Sequence, residues 1–145
     1  MPPPAPHCYQ VQYQAQPPLL RGTVQCALSA VEFTESCELL LAVAQEHGCP
    51  FWLLDGRADN VGHSNDVYEW MREEFLPRTH RVLGRVPCVA FVAHPEFWQA
   101  LQARHYDLPG PLTTSASFRT NWFVGEAEAL AWLAQFRPAL GMPEM

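Results

Sequence analysis

Residues 86–105 read VPCVAFVAHPEFWQALQARH, an apolar run joined without a spacer to a segment of helical character. The part at 86–93 is the most apolar in the chain. Its length and lack of alternation suit a strand covered on both faces, with Pro87 tolerated only near the strand's first residues. Pro95 then falls at a first helical position, where its missing N–H leaves no bond unmade, and 94–105 is expected to be a short helix. A buried strand feeding directly into a helix is the repeating unit of a parallel sheet.

Working upstream, Ser64 to Asp66 mark the start of a longer helix. Asp66 and Glu69 offer a capping-box pattern, and Trp70, Met71, Phe75 and Leu83 follow before Gly84 stops it. Pro77 is expected to kink this helix. FWLLD at 51–55 is a short apolar strand. SAVE at 29–32 has the Ser-x-x-Glu capping box, and Phe33, Cys37, Leu40, Leu41 and Ala44 recur at helical spacing until Gly48. Further back, Tyr9, Val11 and Tyr13 alternate with glutamines, and Leu20, Gly22, Val24 and Cys26 alternate with polar residues beyond Pro17-Pro18. These two period-two runs predict an antiparallel hairpin.

Downstream, 107–117 reads as a loop, and Phe118, Thr120, Trp122 and Val124 alternate as a fifth strand. Glu126 to Phe136 forms a last helix with Leu130, Leu133 and Phe136 inward, and with Glu126, Glu128 and Arg137 suited to its dipole. The order β-β-α-β-α-β-α-β-α predicts an α/β fold: a single mixed, mostly parallel five-stranded sheet with about four helices. The domain is expected over 8–136, between a disordered Pro-rich tail at 1–7 and a C-terminal tail at 137–145.

A chain of 145 residues, 48% of them apolar and 17% charged, suits one domain with a substantial core. A net charge of −6 argues against general attraction to nucleic acid or anionic lipid surfaces. No apolar run approaches the roughly 20 residues of a membrane span, and the N-terminus lacks the pattern of an export signal. Cys8, Cys26, Cys37, Cys49 and Cys88 stand singly, which reads as reduced core thiols in a cytoplasmic protein.

The chemistry-bearing residues gather in WLLDGRADNVGHSNDVYEW at 52–70. Asp55, Asp59, His63 and Asp66 are expected near the carboxyl edge of the sheet, where ligands of open α/β folds sit. An acid, a His and a Ser lie close together there, but the chain has no GxSxG elbow and no triad spacing, so the expectation is a protein without catalysis. His7, His47, His63, His80, His94 and His105 show no metal-ligand spacing, and no metal or cofactor is expected. Arg78, Arg81 and Arg85 share one helical face, either to clamp an acidic group or simply as a solvated face with pairs such as Glu74 to Arg78. Trp52, Trp70, Phe75, Phe97, Trp98, Trp122, Phe123 and Trp132 are many rings for a small domain. Beyond core packing they could line an apolar pocket, or form an exposed patch for a homodimer or a partner.

The element order, with FWLLDGR, EWMREEFLPRTHRVLGRVPCVAFVAHPEFW and FRTNWFVGEAEALAWLAQF, resembles the STAS domains, named for sulfate transporters and anti-sigma factor antagonists. It is most similar to the small stand-alone bacterial members related to CRAL-TRIO lipid-binding domains. The resemblance implies a non-catalytic regulatory module that binds a protein partner in bacterial signalling. It also makes Ser64 the positional counterpart of a phosphorylated Ser, although this chain has GHSN where the family has Asp-Ser-Ser-Gly. The ordinary role of a Ser at that position is to cap the helix, and that is the first reading of Ser64. Asp55, Arg57, Asn60, His63, Asn65, Trp70, Arg78 and Arg81 are the expected partner- or ligand-facing residues. The alternative is a carrier or sensor for a lipid-like or other apolar small molecule.

Overall fold

The computed structural model describes residues 8–58, 65–103 and 117–137, with the backbone alone at 65 and 100–103. The tails outside 8–137 and the segments 59–64 and 104–116 lie outside this description. Among the described residues the chain forms a five-stranded mixed sheet in the order β1-β2-β3-β4-β5: Tyr9–Ala15, Pro18–Val24, Phe51–Asp55, Cys88–Val92 and Arg119–Phe123. The first two strands pair antiparallel, Tyr9 opposite Val24, and every later pair is parallel. This is the α/β class that the periodicities predict.

Four helical units accompany the sheet. The first, α1 (Ala30–His47), starts at Ser29, whose hydroxyl accepts from the Glu32 N–H while the Glu32 carboxylate accepts from the Ser29 N–H. It ends at Gly48, which takes the left-handed conformation (φ 62°) and donates to the Ala44 carbonyl. The capping box and glycine stop read from the sequence thus define this helix at both ends.

The second unit is composite: α2 (Asn65–Trp70), a π-helical turn (Met71–Phe75) and α3 (Leu76–Leu83). The expected disturbance at Pro77 takes the form of that widened turn, with the Leu76 N–H reaching back to the Met71 carbonyl. Pro77 has no N–H, and its ring crowds the carbonyl four residues earlier, so a wider turn just before it relieves the clash. Met71 and Phe75 are driven into the core on this turn. The last two units are α4 (Pro95–Ala103) and α5 (Glu126–Ala134). At the start of α4, His94 Nδ1 accepts from the Glu96 N–H and serves as its cap.

Since each parallel connection steps to the next strand in the same direction, right-handed crossovers place α1 to α4 on one face. The register row Gly22, Leu54, Phe91 and Trp122 points that way, as does Trp52 one row below, packed against Phe75. Among the described residues the opposite face is covered by α5, which packs on β3, β4 and β5. Buried on both sides, β3 and β4 read as unbroken apolar runs, whereas β1 keeps its alternation, with Gln10, Gln12 and Gln14 exposed.

One expectation is overturned. Cys8 and Cys26 are joined in a disulfide with Cα atoms 5.2 Å apart, so the five cysteines are not all reduced thiols. The pairing comes from the hairpin register, which carries Cys8 opposite Gln25, and the Gln25 N–H donates to the Cys8 carbonyl. No sequence spacing signals such a partner. Cys37, Cys49 and Cys88 are free and buried.

Candidate functional site

Strands β2 to β5 run parallel, so their carboxyl ends share one edge, and antiparallel β1 brings its first residue, Tyr9, to that same edge beside Val24. There the sheet and the helices on its face part slightly and leave an apolar cavity of about 70 Å³. Gly22, Leu54, Phe91 and Trp122 form its floor, and α1 supplies Phe33, Cys37 and Leu40 as one wall. Tyr68 of α2 and Phe97 of α4 complete it, and Asp55, Gly56 and Ala93 lie at the strand ends.

The aromatic side is a rigid assembly around Trp122. Its ring stacks on Phe91 at 4.5 Å and on Trp98 at 5.8 Å, and meets Tyr68 edge-on at 6.3 Å. Phe33 in turn meets Tyr68 at 6.4 Å. Offset and edge-to-face pairs of this kind each add stabilisation beyond area burial, so the wall is pre-formed.

Few polar groups reach the cavity. The Ser36 hydroxyl donates to the Glu32 carbonyl and is satisfied within its helix. Burial pushes the Cys37 thiol far above its ordinary value, with the Glu38 charge adding to it, so it stays protonated and is no nucleophile. Tyr9 is 8% exposed, and burial holds its phenol well above the ordinary range. The Tyr9 hydroxyl borders the cavity and hydrogen-bonds to no described residue. The hydroxyl end of its ring lies against Gly22, where any Cβ would overlap the hydroxyl.

Beside the cavity, on the α5 face of the sheet, four charges form a ledge. Arg57 donates to both Asp55 oxygens, at 3.0 Å from Nε and 2.7 Å from Nη2. Arg21 pairs with Glu126 at 2.7 Å, and Arg57 approaches the same carboxylate at 3.7 Å. Burial alone would raise the Asp55 carboxyl, but the hydrogen bonds and charge of Arg57, with the charge of Arg21, hold it below its ordinary value. Asp55 is therefore an ionised, occupied acceptor. Among the described residues no three His, Cys, Asp or Glu side chains converge as a metal site.

The sites read from the sequence divide accordingly. Asp55 and Arg57 do reach the carboxyl edge, joined to each other. Asn60, His63 and Ser64, with Asp59, lie outside the described residues, as does the side chain of Asn65. Trp70 is half-buried and stacks on Phe75 at 5.2 Å, as part of the core. Arg78 does not join an open basic face: it is held by Glu38 of α1 rather than by Glu74. Arg81 is exposed on α3, and Arg85 falls beyond the helix, past the left-handed Gly84. The expected Arg face is thus dispersed by pairing and by the helix end.

The cavity residues Tyr9, Gly22, Leu40 and Leu54 were legible only as strand and helix core. The signal that could have found them is Gly22, an isolated glycine inside a strand pattern, which marks a close approach by another group. No known family matches this chain, and neither does a curated protein or a solved structure.

Proposed function

We propose that this protein is a non-catalytic binding module whose carboxyl-edge cavity holds a compact, largely apolar small molecule. The observation that carries this reading is the position of the cavity. It lies at the carboxyl ends of parallel strands, where open α/β sheets bind ligands, with a pre-stacked aromatic wall around Trp122. A volume of about 70 Å³, open to solvent at the edge, suits a compact group rather than a whole lipid chain. Among the described residues, the side chains at the cavity offer no paired nucleophile and base: the thiol and phenol are protonated and the carboxylate is held by Arg57.

The regulatory, partner-binding reading that the STAS resemblance implies rests on the 55–66 loop, the start of the second helix and its Arg face, of which 59–64 lie outside the described residues. It is compatible with a ligand that alters the adjoining edge at Asp55 and Arg57. The geometry supports the cavity more directly.

The test is ligand-observed NMR with a panel of neutral apolar fragments, repeated on Cys37→Leu, whose larger side chain fills the cavity. Fragment binding that shifts the Trp122 indole resonance and disappears in Cys37→Leu supports the reading. An absence of binding across the panel, or binding that ignores Cys37→Leu, overturns it.

A further inference from the structure

We infer that the cavity selects a neutral ligand group carrying one acceptor oxygen, a short-chain carbonyl being the best fit, which takes its hydrogen bond from the Tyr9 hydroxyl. This rests on the reading of the cavity as a ligand site and adds the chemistry of what enters.

Tyr9 is nine-tenths buried, its hydroxyl borders the cavity, and no described residue accepts its proton. The hydroxyl is not one of the buried atoms left without a partner, so it keeps contact with the space of the cavity and can donate to whatever occupies it. Gly22 is what allows this placement, since a side chain there would push the ring aside. The hydroxyl is thus a fixed donor in an otherwise apolar chamber. Donors of this kind are what orient a ligand in an apolar site.

Charge decides the rest. Among the described residues at this edge an anion would meet no free cation, since Arg57 is engaged by Asp55 and Arg21 by Glu126, and it would face the Asp55 carboxylate. Burying an unpaired charge costs far more than one hydrogen bond returns. Size narrows the class further. A cavity of about 150 Å³ holds benzene, so about 70 Å³ takes up roughly three non-hydrogen atoms, and its open edge lets a slightly larger group protrude. That is a carbonyl with a short alkyl group, either as the whole ligand or as the end of a larger one that leaves through the edge at Gly56 and Ala93.

The experiment titrates the intact protein with 2-butanone, with its alkene isostere 2-methyl-1-butene, and with isobutyrate at neutral pH, following Trp122 and the Tyr9 ring carbons by NMR. Butanone should bind roughly fivefold more tightly than the alkene, in keeping with one net hydrogen bond. It should move the Tyr9 Cζ resonance, and isobutyrate should not bind. In Tyr9→Phe, checked for an unchanged fold by its amide spectrum, the preference should vanish while alkene binding persists. Equal binding of ketone and alkene to the native protein, or a preference that survives Tyr9→Phe, overturns the assignment of Tyr9 and leaves the cavity reading standing. Failure of both neutral probes overturns both, and binding of isobutyrate overturns the neutrality of the ligand.

Discussion

Arg78 of α3 grips Glu38 of α1 with both guanidinium nitrogens, at 2.7 and 2.6 Å, and lies over the Phe75 ring at 5.6 Å. Hydrogen bonding to the Glu38 carboxylate is the main reason the guanidinium holds its proton above the ordinary range. Both side chains are about two-fifths exposed, so water screens the pair. We expect Arg78→Lys, which keeps the charge and loses the fork, to cost about 0.5–1 kcal/mol in urea denaturation. Glu38→Gln should cost a similar amount, and the two together little more than either. Fully additive losses would show that the two residues do not act as a pair.

Gly22→Ala is expected to destabilise the fold by about 1–3 kcal/mol, the usual range for overpacking a core. The added carbon would overlap the Tyr9 hydroxyl and approach Leu40 Cδ2 to 3.1 Å. In a Tyr9→Phe background the loss should shrink, because the closest overlap is gone. An equal loss in both backgrounds would assign the cost to the contact with Leu40 instead.

Asp55 gives the ledge its pH dependence. Its folded carboxyl titrates below the ordinary value. The pairing therefore contributes fully above the unfolded-state value of about 4 and fades as pH falls through the folded one. At pH 7, Asp55→Asn should lower stability by about 1 kcal/mol, and the gap to the native protein should close as the solution is acidified below about pH 4. Chemical denaturation across that range measures it, and a constant gap would remove Asp55 as the cause.

Ser29→Ala should cost about 1 kcal/mol, and Ser29→Gly only a few tenths, because glycine is tolerated at a cap. Thermal melts of the two variants compare them. An equal loss would mean that the hydroxyl bond to the Glu32 N–H is not the stabilising element.

The fold was legible because its devices are local. Ser29 and Glu32 announce one helix start, Gly48 and Gly84 two stops, and the apolar 51–55 and 86–93 runs the doubly covered strands. What stayed hidden is set by register and by contact between distant segments. The Cys8–Cys26 pair depends on how β1 meets β2, and the Arg78–Glu38 pair on how α3 meets α1. At the candidate site, Asp55 and Arg57 were readable from their place at a strand end. Tyr9 was not, because its role appears only when the partner strand offers Gly22 beneath it.

The unequal covering of the sheet bears on how the chain is made. Four strands and the helices of one face precede β5 in sequence, but among the described residues Leu53, Ala90 and Val92 on the other face gain their cover from α5, whose Ala129 and Leu133 are fully buried. During synthesis from the N-terminus, α5 cannot cover that face until residue 134 has left the ribosome. Chains stopped at Phe123 would present an apolar sheet to the cell, and so belong with the targets of chaperones and proteases, however well their first half is formed.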